Sequence, residues 1–153
     1  IEKSGLKPSK QMLTNLPARI RMNTLYAVAQ SEGIKGRVSN NCNRSENYVS
    51  YETKFGDGAG DFAPIANLTV REILAIGDYL GLPKELIHKT PIDGLNTNED
   101  GSYVTDEQSM GFTYNELDDY LLEGIKPDKE KLNKIEKMHV RGIAKNRMLA
   151  FNF

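Results

Sequence analysis

The chain has 153 residues, the size of one domain, and 39% of them are hydrophobic, enough for a modest core. Its 20 Lys and Arg face 21 Asp and Glu, a formal net charge of −1, which argues against a broad cationic surface for nucleic acid. The single cysteine, Cys42, excludes an internal disulfide framework and points to a reducing, cytoplasmic compartment; with only two histidines a structural zinc site is not expected, and no apolar run reaches transmembrane length, so no membrane contact is expected.

Residues 1–14 are polar, contain Gly5 and Pro8, and read as an approach loop. The spacing of Ile20, Leu25, Val28 and Ala29 predicts a helix from about Leu16 to Glu32, with Asn15 as N-cap, Pro17 in the first turn and Gly33 and Gly36 as stops. A short strand, about Arg37 to Asn40, and a short helix, Arg44 to Ser50, follow. The segment 51–68 reads as a loop. Thr69 and Glu72 form a capping box ahead of Ile73, Leu74, Ile76 and Leu80, with Gly81 as the stop and Pro83 opening a short helix to about His88. Residues 90–112 read as a long irregular loop. Thr113 and Glu116 make a second capping box before Tyr114–Leu122, closed by Gly124, and Leu132, Ile135 and Met138 mark a last helix from about Asp128 to Arg141. A strand between helices suggests the end of an α/β sheet.

The densest chemistry lies in 41–61, where glycine and charge alternate. Glu46 follows the strand end, where open α/β sheets place ligands, and a single carboxylate suits Mg²⁺, which keeps waters and substrate phosphates as its other ligands. Lys54 suits a phosphate, and Asp57 and Asp61 suit ribose hydroxyls or a polar heterocycle. On composition alone, a solvated loop of turn-forming Asp and Gly is the plainer reading. Arg19 and Arg21 point to different sides of their helix, about 200° apart. Asp106-Glu107 reads equally well as a solvated acidic pair. His88 and His139 have no nucleophile partner, and Cys42 reads as a small buried side chain.

Four runs in order carry a resemblance: Asn15-x-x-Ala18-Arg19-Ile20-Arg21-Met22, Asn43-Arg44-Ser45-Glu46, Thr53-Lys54-Phe55-Gly56-Asp57 with Asp61, and Thr105-Asp106-Glu107 with Gly111-Phe112-Thr113-Tyr114. Over about Asn15 to Lys145 the chain resembles the ammonia-dependent NAD synthetases, or the synthetase domain of the glutamine-dependent form. The resemblance implies an α/β, Rossmann-like fold of the adenine nucleotide alpha hydrolase (N-type ATP pyrophosphatase) type, here its helix-rich C-terminal part, and a homodimer. It implies that ATP adenylylates the nicotinate carboxylate of deamido-NAD and that ammonia then displaces AMP, with Mg²⁺ and no protein nucleophile, so that no catalytic residue is named. Carried over by position, Arg19, Lys54, Asp61 and Lys145 contact deamido-NAD, Glu46 binds Mg²⁺, and Asn41, Val70 and Ile92 stand at ATP-contacting positions.

Departures accompany the match. Asn41 and Ile92 replace threonines and Val70 replaces a lysine at the ATP positions, and Ala144 replaces the histidine beside Lys145. Thr90, Asp93 and Arg71 are nearby candidates for compensating contacts. The family's Ser-Gly-Gly-x-Asp-Ser phosphate loop is absent, so the chain is expected to be the C-terminal part of a single synthetase domain and inactive by itself. The alternative is a degenerate or truncated relative that binds a dinucleotide or dimerises without catalysis. The 53–57 and 105–114 runs argue against a GMP synthetase relative.

Overall fold

The computed structural model describes residues 2–147. The chain divides into two compact units, one made of the segment up to Cys42 with Glu52–Pro64, the other of Asn43–Tyr51 with the segment from Ile65 onward.

The first unit is built on α1, Lys10–Ala29. The helix starts a turn and a half earlier than its sequence suggests. Ser9 caps it by accepting the Met12 N–H (3.1 Å), so much of the expected approach loop is helical. Asn15 is not a cap; its side-chain oxygen accepts the Thr53 hydroxyl (3.2 Å). Pro17 therefore lies inside the helix, where one missing N–H is tolerated by a helix of 20 residues. The expected strand at 37–40 is a single parallel bridge between Ser39 and Phe62. Among the described residues, Ala18, Met22, Val38 and Cys42 are the buried apolar side chains of this unit.

In the second unit, α2 (Arg44–Val49), α3 (Val70–Tyr79), α4 (Lys84–Ile87), α6 (Tyr114–Glu123) and α7 (Lys129–Asn146) fall close to their expected places. The capping boxes at Thr69/Glu72 and Thr113/Glu116 both form, and Gly124 closes α6 in the left-handed region (φ 71°). Segment 90–112 is not an irregular loop. It contains an antiparallel hairpin, β1 (Ile92–Thr97) and β2 (Tyr103–Thr105), and then α5 (Asp106–Met110). α5 has its own capping box, Thr105 with Gln108. The core is Val49, Met110, Phe112, Tyr114, Leu117 and Ile135, with Tyr48, Val70, Tyr120 and Met138 packed against it. It joins α2, α5, α6 and α7, so the helix that carries Glu46 is seated on a core of buried side chains.

Candidate functional site

In the first unit the 53–61 segment is a tight, self-bonded loop. The Gly56 and Gly58 N–H groups both donate to the Thr53 carbonyl (2.8 and 3.2 Å), and the Thr53 N–H donates to Asp57 Oδ1 (3.1 Å). Arg19 from α1 donates through Nε to the Lys54 carbonyl (3.1 Å), which joins two of the expected substrate contacts. The Lys54 ammonium lies 5.3 Å from the centre of the Phe55 ring, whose residue has a positive φ of 63°. Asp61 grips Val38 twice: its N–H donates to the Val38 carbonyl (2.7 Å) and its Oδ2 accepts the Val38 N–H (2.8 Å). Both carboxylates read as ribose contacts thus accept backbone N–H groups, Asp57 from within the loop and Asp61 from Val38 outside it. Asn41 Oδ1 accepts the Ser39 hydroxyl (2.7 Å), and Cys42 is buried, as its size suggested.

Glu46 belongs to the second unit, at the third position of α2. Its Oε2 accepts the Asn43 N–H (3.0 Å) while Asn43 Oδ1 accepts the Glu46 N–H (2.9 Å), so the capping box takes one carboxylate oxygen and fixes the side chain. Among the described residues no group of three or more His, Cys, Asp or Glu is arranged to hold a metal. A lone hard carboxylate of this kind fits a Mg²⁺ ion held mostly by substrate phosphates and waters, and fits no all-protein metal cage.

The N–H groups at the start of α3 are taken up within the chain. The Thr69 N–H donates to Glu72 Oε2, the Val70 N–H to Ser45 Oγ (3.1 Å), the Arg71 N–H to Asp118 Oδ2 (2.8 Å) and the Glu72 N–H to Thr69 Oγ1. Val70 adds no polar side chain. The Arg71 guanidinium is committed to Asp119, Glu123 and the Asn115 carbonyl. Ile92 sits in β1 opposite Thr105. Lys145 Nζ donates to the Ser50 carbonyl (2.8 Å) at the end of α2. His88 bonds Asp78, and His139 stacks on Tyr48 with ring centres 4.0 Å apart.

Asp106 is the acidic residue that composition left open. It is buried, Oδ2 accepts the Tyr114 hydroxyl (3.2 Å), and Oδ1 is buried with no hydrogen-bond partner among the described residues. Burial raises its carboxyl above the ordinary range, and the negative charges of Asp93 and Glu107 push the same way against the lowering by Tyr114. The native state therefore takes up this proton at a higher pH than the unfolded chain does, so the group's contribution to stability rises as pH falls through its native pKa. The expected result is that Asp106→Asn is stabilised relative to wild type near neutral pH and that the gap narrows toward about pH 4. Urea denaturation across that range checks it; a gap independent of pH refutes it.

The sequence model of the family described as NAD synthase matches residues 2–149. The chain belongs to the NAD synthase family. The NH(3)-dependent NAD(+) synthetase of Carboxydothermus hydrogenoformans is 43% identical over 118 residues, which are 77% of this chain and 46% of that protein. Among solved structures, the NMN synthetase of Francisella tularensis superposes with a TM-score of 0.85 at 37% identity, over 99% of this chain and 61% of that one. The NH3-dependent NAD synthetase of Campylobacter jejuni, in complex with nitrate, gives 0.67 at 26% identity, over 99% and 59%. The fold is thus the α/β, adenine nucleotide alpha hydrolase type expected from the resemblance. The chain spans about half the length of the curated NAD synthase relatives it matches.

Asp118 carries no signal in the sequence, and Ser45 enters it only as part of the Asn43-Arg44-Ser45-Glu46 run. Asp118 and Ser45 are both fully buried and bonded to each other (2.5 Å). An Asp inside a helix and a Ser in a short one read as ordinary surface residues until tertiary contacts bury them.

Proposed function

We propose that the chain serves an enzyme that amidates deamido-NAD with ammonia and ATP to give NAD, AMP and pyrophosphate. The membership of residues 2–149 in the NAD synthase family carries this reading, and Arg19, Glu46, Lys54 and Asp61 are the residues we assign to it. In the first step a nicotinate carboxylate oxygen attacks the α-phosphorus of ATP and pyrophosphate leaves. In the second, the ammonia lone pair attacks the acyl carbon, AMP leaves with the bonding pair, and the nitrogen loses a proton. No protein nucleophile enters. Catalysis rests on alignment and on charge neutralisation. Arg19 and Lys54 supply cationic groups for the dinucleotide, with the Arg19–Lys54 bond orienting the loop. Asp61 acts by holding that loop against Val38 as well as by facing ligand. When bound, Mg²⁺ offsets phosphate charge, and Glu46 is the carboxylate suited to it.

Asn41 and the Val70 and Ile92 positions are assigned to the ATP side, and Lys145 to deamido-NAD. A homodimer and a cytoplasmic location belong to the same reading; α1 leaves Leu13 and Ile20, seven residues apart on one side of the helix, more than half exposed, in keeping with a helix that meets a second copy. No helix among the described residues is long and apolar enough to cross a membrane.

NAD formation by the intact protein from deamido-NAD, ATP, Mg²⁺ and ammonia tests the reading; folded protein that makes none refutes it. Lys54→Ala is expected to weaken deamido-NAD binding by about 1–3 kcal/mol, the worth of a charge-assisted hydrogen bond. Calorimetry checks this, and an unchanged dissociation constant removes Lys54 from the site.

The higher TM-score with the Francisella NMN synthetase favours a second reading, in which the amidated carboxylate belongs to nicotinate mononucleotide. The chemistry is unchanged and only the adenylyl half of the substrate is missing. A larger kcat/KM for the mononucleotide than for the dinucleotide selects this reading.

A further inference from the structure

We propose that Asp118, acting through Ser45, is a positioning residue for Glu46, locking the helix that carries this carboxylate to the N-terminus of α3. The inference rests on Glu46 facing Mg²⁺ as proposed above.

α2 has six residues, under two turns, and a helix that short has little stability by itself. Its direction is therefore set by what it is tied to. Ser45 is the tie: its hydroxyl donates to Asp118 Oδ1 (2.5 Å) on α6 and accepts the Val70 N–H (3.1 Å) at the start of α3. The other Asp118 oxygen accepts the Arg71 N–H (2.8 Å). One buried carboxylate thus serves as acceptor for two helices at once, across 73 and 47 residues of sequence. Ser45 and Glu46 are consecutive, about 100° apart round the axis, so fixing the Ser45 side chain fixes the rotation of α2 and with it the direction of Glu46.

The chemistry of the hub suits position better than stability. Ser45 and Asp118 are 0% exposed, and no ion pair among the described residues includes Asp118. Burying a carboxylate is costly, and an apolar pair of similar volume is often no worse for stability. What an apolar pair lacks is direction. Hydrogen bonds of fixed geometry orient the carboxylates that bind metal ions, and losing such support commonly lowers metal affinity 10–100-fold.

The test reads metal binding without turnover. Mn²⁺ is titrated by electron paramagnetic resonance into the intact protein with α,β-methylene-ATP, for wild type, Ser45→Ala, Glu46→Gln and the double variant. Ser45→Ala is expected to lower Mn²⁺ affinity about 10-fold, and to add nothing in the Glu46→Gln background. Equal losses in both backgrounds, or a lowered melting temperature with unchanged Mn²⁺ affinity, overturn the inference and leave the hub a packing contact. An unchanged affinity in Glu46→Gln alone overturns the assignment of Glu46 itself, and the inference with it. If Ser45→Ala does not fold, Ser45→Cys, with the same shape and a weaker donor, takes its place in the cycle under the same criteria.

Discussion

Gly60→Ala is expected to destabilise the protein by about 3 kcal/mol, toward the upper end of the overpacking range. A Cβ at Gly60 would lie 2.5 Å from the Asn40 nitrogen and 2.6 Å from the Asn40 Cβ. The obstacle is mostly backbone and the root of a side chain, so no rotamer change relieves it. The segment 38–40 must move from 60–62, which breaks the Asn40 N–H bond to the Phe62 carbonyl (2.8 Å) and both Asp61–Val38 bonds. Because Asp61 is oriented by those bonds, deamido-NAD affinity should fall with stability, by roughly 10-fold or about 1.4 kcal/mol. Gly58→Ala is the control. Its nearest obstacle, at 2.7 Å, is the Glu52 Cγ, part of a flexible side chain that can swing away, so its cost is smaller. Urea denaturation and calorimetry on both variants decide the point. A Gly60→Ala protein within about 0.5 kcal/mol of wild type sinks the argument.

Glu46→Gln is the second large effect, and it separates folding from function. Gln serves at the third position of a capping box as Glu does, so the Asn43–residue 46 exchange survives and stability should change by less than about 1 kcal/mol, mostly from the lost charge near the helix start. The carboxylate charge that a hard cation needs is lost. The Mg²⁺ concentration for half-maximal NAD formation is expected to rise by about 10–100-fold at an unchanged melting temperature. A Mg²⁺ titration that overlays wild type rejects the role of Glu46.

The local parts of this fold were legible. The Thr69/Glu72 and Thr113/Glu116 boxes, Gly81 and Gly124 each follow from residues within one turn of each other, and all four form as read. The box at Thr105/Gln108 has the same signature, but the Asn, Asp and Gly residues nearby mask it by reading as a loop. The hairpin of β1 and β2 was hidden for a different reason. Ile-Asp-Gly-Leu-Asn-Thr has no clean alternation, and Gly94 takes a positive φ of 68° within it, so the strand exists through its partner rather than its pattern. The start of α1 departs from its sequence pattern because Ser9, not Asn15, supplies the cap, and Pro17 lies inside the helix and not in its first turn.

By itself, then, the sequence determined the caps at Thr69 and Thr113 and the family, because each is written in short runs whose meaning needs no distant neighbour. Tertiary structure alone decided what Arg19, Ser45 and Lys145 are attached to. Arg19 finds a carbonyl 35 residues away, Ser45 a carboxylate 73 away, and Lys145 the end of α2 at 95. A hydrogen bond is selected by a distance of about 3 Å and an angle, and only the packed chain sets those for residues so far apart.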